Sequence, residues 1–262
     1  MPKFSANLSF LYPELPFIER FAAAAADGFQ AVEYVSPYGE PKERIAQQLR
    51  DHGLKQALFN FPAGNWDKGE RGIACHPARI AEFRAGVTTA LDYALALGCT
   101  RLNCLAGIAP RDVDHARLEK TLIDNLTYAS ERCTSAGVQL LIEPINLRDM
   151  PGYFVSTTNH AERILALAGL SNLHLQYDFY HMQIMQGDLV HTFERLKRHI
   201  AHVQIADAPG RHEPGTGEIN YRFVLSELDR LGYDGYVGCE YRPSSGKGAD
   251  LGWMADLAAR PA

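Results

Sequence analysis

Six glycines punctuate this chain in the same way. Gly28, Gly53, Gly98, Gly137, Gly169 and Gly232 each close a stretch with helical character, and a short apolar run, partly β-branched, follows each of them. The apolar runs read as strands over 31–35, 54–61, 100–105, 138–142, 173–177 and 235–239, joined by an opening strand over 3–9 and another over 200–205. Helices are expected over 14–27, 41–52, 78–97, 115–136, 158–168, 189–199, 221–231 and 249–258, with Pro41 opening the second and Asn220 capping the seventh. A long loop, rich in glycine and charge, is expected over 62–77. Eight strands alternating with helices in 262 residues match an α/β (β/α)8 barrel (TIM barrel), which typically takes about 250 residues. An open doubly wound sheet is the rival. No early strand leads into G-x-G-x-x-G, and the late Gly215-Thr216-Gly217 has Asn220 where the third glycine belongs. With no linker, low-complexity segment or further repeat, one domain over 1–262 is expected.

Barrels of this kind keep their chemistry at the C-terminal ends of the strands. The run Val138-Gln139-Leu140-Leu141-Ile142 leads straight into Glu143 and then Pro144. A carboxylate at the end of a buried strand is costly unless a cation or a proton neutralises it. The other ends offer Asn7, Glu33, Asn60, Asn103, Asp178, Gln204 with Asp207, and Glu240. A single acid there is ordinarily a loop anchor or a helix cap. Four oxygen-bearing groups at successive ends, Glu143, Asp178, Gln204 and Glu240, argue against independent anchors and suit a hard divalent cation, Mg or Mn. Zinc recruits more His or Cys. His181 follows Asp178 by one turn and can donate to a substrate oxygen or steady an oxyanion. The loop with Trp66, Lys68, Glu70 and Arg71 offers a clamp for a substrate carboxylate, and Arg211 offers a second. Glu70 and Asn103 complete the candidates for substrate contact.

The net charge of -5 and the lack of a Lys/Arg cluster argue against a nucleic-acid partner. No apolar stretch approaches the roughly 20 residues that span a bilayer, and the opening residues lack a signal-peptide core, so a cytoplasmic location is expected. The five cysteines are odd in number and scattered, which points to free buried thiols. The expected partner is a small molecule, with neither nucleic acid nor membrane; the oligomeric state, a homo-oligomer included, is left open.

The strings Ile142-Glu143-Pro144-Ile145-Asn146, Gln176-Tyr177-Asp178-Phe179-Tyr180-His181, His202-Val203-Gln204-Ile205-Ala206-Asp207, Glu213-Pro214-Gly215-Thr216-Gly217-Glu218 and Gly238-Cys239-Glu240-Tyr241 resemble those of the hydroxypyruvate isomerase family, within the xylose isomerase-like barrels. Phe4 to Ser9 and Gly69 to Cys75 match as well, so the resemblance runs through nearly the whole chain. It implies a divalent metal held by Glu143, Asp178, Gln204 and Glu240, with Glu143 and Glu240 as the acid/base pair and His181 in contact with substrate. The implied reaction converts hydroxypyruvate to tartronate semialdehyde by proton transfer through an enediolate. Where Gln204 stands, many related sugar epimerases carry His. Phe59 stands where the nearest relatives are expected to carry His, which would alter the substrate if that position touches it. Isomerisation of 2-oxotetronate, which Leu58-Phe59-Asn60 favours, or 3-epimerisation of a ketose are the alternatives on the same site. Metal-dependent DNA repair would need a basic groove and a His-rich zinc site, and a non-catalytic sugar-acid binder would not need two facing glutamates.

Overall fold

The computed structural model describes residues 2–258. Its strands are β1 (Lys3–Asn7), β2 (Ala31–Tyr34), β3 (Lys55–Asn60), β4 (Arg101–Cys104), β5 (Gln139–Ile142), β6 (Leu173–Asp178), β7 (Ile200–Ile205) and β8 (Tyr236–Cys239). All neighbours are parallel, and β1 pairs with β8 to close the barrel. Each expected strand is present within one or two residues. The open-sheet rival is thereby excluded.

The helices are α1 (Arg20–Ala26), α2 (Lys42–Asp51), α3 (Ile80–Leu97), α4 (His115–Ser135), α5 (Thr158–Ala168), α6 (Phe179–Met185), α7 (Leu189–Leu196), α8 (Tyr221–Arg230) and α9 (Gly252–Ala258). In α4, Leu118, Leu122, Leu126, Ala129 and Cys133 recur at helical spacing and form the buried stripe. The Asn220 side chain accepts a hydrogen bond from the Phe223 backbone N–H at 3.2 Å, the cap expected of it. Gly98 ends α3 at φ 63°, where a side chain is disfavoured.

Several boundaries differ from expectation, and α7 ends at Leu196 rather than 199. The stretch expected to be helical from residue 14 begins as a 3-10 turn, Phe17–Glu19. The loop over 62–77 holds a turn of the same kind at Trp66–Lys68, and a second, Pro77–Arg79, precedes α3. The closing helix begins at Gly252 rather than 249. Helix α6 was not foreseen at all. It follows β6 without a loop, and its cap is a residue that the sequence marks as a ligand.

Position 59 lies outside the cavity wall. Side chains alternate along a strand, and on β3 Leu58 and Asn60 face the barrel mouth while Phe59 points outward. Phe59 is fully buried, 6.1 Å from the Tyr34 ring and 6.2 Å from the Tyr38 ring. It does not line the site, so it cannot select a substrate by contact. Phe59→Ala is expected to cost about 3–5 kcal/mol through the cavity it leaves, read by denaturant unfolding, with the substrate preference unchanged.

All five cysteines are free and buried. Among the described residues no helix is long and apolar enough to cross a membrane.

Candidate active site

The C-terminal mouth of the barrel opens into a cavity of about 440 Å³, large enough for a small metabolite. Asn7, Glu143, His181, Gln204, Arg211 and Glu240 are among its lining residues, and Arg71 and Trp66 stand there too. The strands bring the expected carboxylates together.

Asp178 ends β6 and is fully buried. Its Oδ1 accepts from the Tyr180 N–H at 2.8 Å and caps α6. Its Oδ2 has no hydrogen-bond partner. Cap and ligand were alternatives in the sequence; Asp178 is a cap with one oxygen to spare. That oxygen lies 3.5 Å from His181 Nε2, which lies 3.8 Å from Glu143 Oε1. Ligand atoms of Glu143, Asp178 and His181 all fall within 4.8 Å of one another, a spacing that could hold a metal ion. Asn103 does not reach the cavity. It donates to Glu143 Oε2 at 2.9 Å and so holds that carboxylate from behind the cavity wall, where Asp178 also lies.

Crowding and burial act on these groups as electrostatics requires. Burial, and then the charge of Asp178, push the Glu143 carboxyl up to about 8. Burial raises Asp178 to about 6, with Arg211 opposing. Glu240 is raised well above its ordinary value, again chiefly by burial. His181 moves the other way, well below its ordinary value, through burial and the neighbouring Arg211.

Arg211 is the cation at the centre. It is buried, donates from Nη2 to Glu240 Oε1 at 2.6 Å and lies 3.9 Å from Asp178 Oδ2. The Phe10 and Tyr180 rings flank its guanidinium at 4.7 and 5.1 Å. Its backbone sits at φ 57°, held by Asp207. The Asp207 side chain accepts from the N–H groups of Ala208, Gly215, Gly217 and Ile219, so it organises the loop that carries Arg211 and takes no place in the cavity. Gly217 fits there because a Cβ would stand 1.9 Å from the Ala208 carbonyl oxygen.

Gln204 is oriented against ligation. Its NH2 donates to Glu240 Oε2 and to Glu33 Oε1, and its carbonyl accepts from Gln176 at 2.6 Å. Arg71 stacks on Trp66 at 4.0 Å and donates to the Trp66 and Glu70 carbonyls, which fixes it at the cavity wall. Glu70 is not in the wall. Its carboxylate is taken by Arg79 at 2.6 Å and by the Asn65 N–H, so it pins the loop.

Glu33 stands among the strand-end residues but outside the expected metal and substrate set. It lies fully buried beneath the mouth and receives Ser5 Oγ at 2.7 Å, His202 Nε2 at 2.8 Å, Gln204 Nε2 at 2.7 Å and Asn7 Nδ2 at 3.2 Å. Burial pushes its carboxyl up, but the His202 ring and these hydrogen bonds outweigh that and hold it below the ordinary range. Gly238 makes room for it, since a Cβ there would meet Glu33 Oε1 at 2.3 Å. The signal that could have found it is the one that found Glu143: an acid set in a strand, β2, that is buried throughout.

A closed (β/α)8 barrel with buried carboxylates and an arginine gathered at its mouth defines the class of protein, a (β/α)8 barrel with an ionisable cluster at its C-terminal end. The comparisons agree. The family model described as Xylose isomerase-like TIM barrel matches residues 21–258. A 2-oxo-tetronate isomerase of Cupriavidus necator is 48% identical over 97% of this chain and 98% of its own length. A hydroxypyruvate isomerase of Escherichia coli is 45% identical over the same shares. A crystal structure from Brucella melitensis, described as an AP endonuclease of family 2, matches at TM-score 0.95 and 44% identity, covering 98% of this chain and 99% of that one. The chain belongs to the xylose isomerase-like TIM-barrel family. It is an enzyme of isomerase type, like its full-length curated relatives.

Proposed function

We propose that this enzyme interconverts hydroxypyruvate and 2-hydroxy-3-oxopropanoate (tartronate semialdehyde) by proton transfer through an enediolate, with a divalent cation, Mg or Mn, as cofactor. The observation that carries the reading is Asp178 Oδ2, a fully buried carboxylate oxygen without a hydrogen bond beside two further carboxylates. Left so, it is costly; a hard cation held by Glu143, Asp178 and Glu240 removes the cost. Gln204 joins the set by turning its amide. Facing two carboxylates alone the NH2 is favoured, and facing a cation the carbonyl is. When bound, the ion supplies Lewis-acid stabilisation of the charge that develops on the substrate oxygens.

The remaining work falls to the chain. One of Glu143 and Glu240 takes a proton from the carbon beside the carbonyl, and the other returns one to its neighbour. Arg211 and Arg71 offer guanidinium groups to the substrate carboxylate. These residues come from the loop after β3 through the end of β8, and β1 closes the barrel against β8, so the described residues act as one domain. The small cavity and the net charge of -5 favour a small acid over nucleic acid as substrate. The free thiols fit a cytoplasmic setting.

The raised carboxyls give a pH dependence with a definite sign. Without metal, the folded protein binds protons that the unfolded chain has already released, between 4.5 and about 8 at Glu143 and between 3.8 and about 6 at Asp178. Stability therefore falls as pH rises through this window. Chelated protein is expected to melt several degrees lower at pH 8 than at pH 5, and Mn to restore more at pH 8, because binding releases those protons. Calorimetry with and without Mn reads both.

A second reading, isomerisation of 2-oxo-tetronate, is favoured by the 48% identity to an isomerase of that name. Turnover of both oxo acids with added Mg or Mn, followed by NMR to identify products, decides between them. Higher kcat/KM for hydroxypyruvate is expected. The reverse order selects the second reading, and inactivity with both defeats the two together.

A further inference from the structure

Asn146, four residues from the end of β5, is fully buried and plays no part in the chemistry above. We propose that Asn146 is a positioning residue: it holds the His181 ring in the tautomer with its hydrogen on Nε2, so that His181 meets substrate as a hydrogen-bond donor and is not a metal ligand. The catalytic half of this rests on the isomerase reading; the structural half stands without it.

The orientation of the Asn146 amide is set by partners that leave no choice. Its Oδ1 accepts from the Asp149 backbone N–H at 2.8 Å, and a backbone N–H can only donate. Its Nδ2 donates to the Asp149 carboxylate at 3.1 Å, and an ionised carboxylate can only accept. Asp149 is itself held, since its Oδ2 also accepts from the Tyr180 hydroxyl at 2.8 Å. The atom that faces His181 Nδ1 at 2.6 Å is therefore an amide nitrogen with hydrogens. Nδ1 must present its lone pair to it. A ring turned over would set a carbon against that donor, and an imidazolium would set two donors face to face.

A neutral imidazole carries one N–H, so the hydrogen is on Nε2. That nitrogen lies 3.5 Å from Asp178 Oδ2 and 3.8 Å from Glu143 Oε1, too far for a good hydrogen bond to either. Its N–H is left for a third oxygen in the cavity. A nitrogen that holds a hydrogen has no lone pair for a cation, so the spacing of His181 from the two carboxylates does not make it a ligand. For an enediolate reaction, a neutral donor placed where negative charge develops is the useful arrangement. It also explains why an asparagine belongs in Glu143-Pro144-Ile145-Asn146.

The test uses the full chain labelled with 15N-histidine, without metal and with Mg, and reads the tautomer from long-range proton–nitrogen NMR. His181→Gln identifies the signals by their loss. The wild-type ring is expected to carry its hydrogen on Nε2 in both conditions. In Asn146→Asp the carboxylate accepts from the ring, and the hydrogen is expected on Nδ1, with kcat lowered about 100-fold or more, the scale of losing one oxyanion donor, and KM little changed. A wild-type ring protonated on Nδ1, or an Nε2 that loses its hydrogen when Mg binds, overturns the assignment without any variant. A moved hydrogen with unchanged kcat overturns the catalytic half. An Nε2-protonated ring in a protein that isomerises neither oxo acid supports the structural half and defeats the isomerase reading instead.

Discussion

Glu143→Gln and Glu240→Gln each lower kcat by about 100-fold to 10,000-fold or more, the range of lost acid/base catalysis, while the barrel stays folded. Glutamine keeps the shape and one oxygen. In Glu143→Gln that oxygen still accepts from Asn103, as Glu143 Oε2 does at 2.9 Å. What goes is the capacity to exchange a proton, together with one negative charge from a crowded group. Chelated Glu143→Gln should therefore melt no lower than wild type, because the charge removed is one that burial and Asp178 disfavour. Glu240→Gln differs in one respect. It takes the carboxylate from Arg211, whose Nη2 donates to it at 2.6 Å, so some stability is lost as well. Steady-state kinetics with a melting curve for each variant separates the two effects. Near-normal turnover in either variant removes that residue from the acid/base pair.

Arg211→Met has a large effect on stability, and one that depends on pH. The guanidinium is buried against Glu240, Asp178 and two aromatic rings. Methionine fills part of the space but leaves the carboxylates without their internal cation. Breaking a buried pair from one side costs about 3–5 kcal/mol, and that loss is expected in chelated protein at pH 8. It should shrink toward pH 4.5, where the raised carboxyls are protonated and need no counter-charge. Mn should restore more stability to the variant than to wild type, since the ion replaces the missing charge; at about 100 times its Kd a ligand contributes about 2.7 kcal/mol. Turnover should stay low with metal present, because the cation offered to the substrate is gone. Thermal melts at the two pH values, with and without Mn, check each part. Equal losses at both values would mean that Arg211 acts through packing alone.

The barrel was legible because its strands are short, apolar and bounded by helix-ending glycines, and a parallel sheet covered on both faces leaves that trace. Glu143, Asp178, Gln204 and Glu240 were legible as successive strand ends. The missing parts have physical reasons. Helix α6 is only seven residues, Phe179–Met185, too short to leave a helical period in the sequence, and it depends on the Asp178 cap and on burial. Glu33 is hard to find from the sequence because its partners Ser5, Asn7, His202 and Gln204 come from two distant strands, β1 and β7, and no local string shows them. Whether position 59 touches the substrate is open in the sequence because a string does not show which face of β3 each residue takes. Glu70 and Arg71 are adjacent in sequence, yet one turns to Arg79 and the other to the cavity wall.

The most direct test of proton transfer between Glu143 and Glu240 is a single conversion in D2O. Hydroxypyruvate, incubated with the metal-supplemented enzyme, should give 2-hydroxy-3-oxopropanoate with deuterium on carbon 2, because the hydrogen delivered there comes from a carboxyl in exchange with solvent. Product whose carbon-2 hydrogen is all protium, carried over from carbon 3 of the substrate, would contradict transfer by two glutamates.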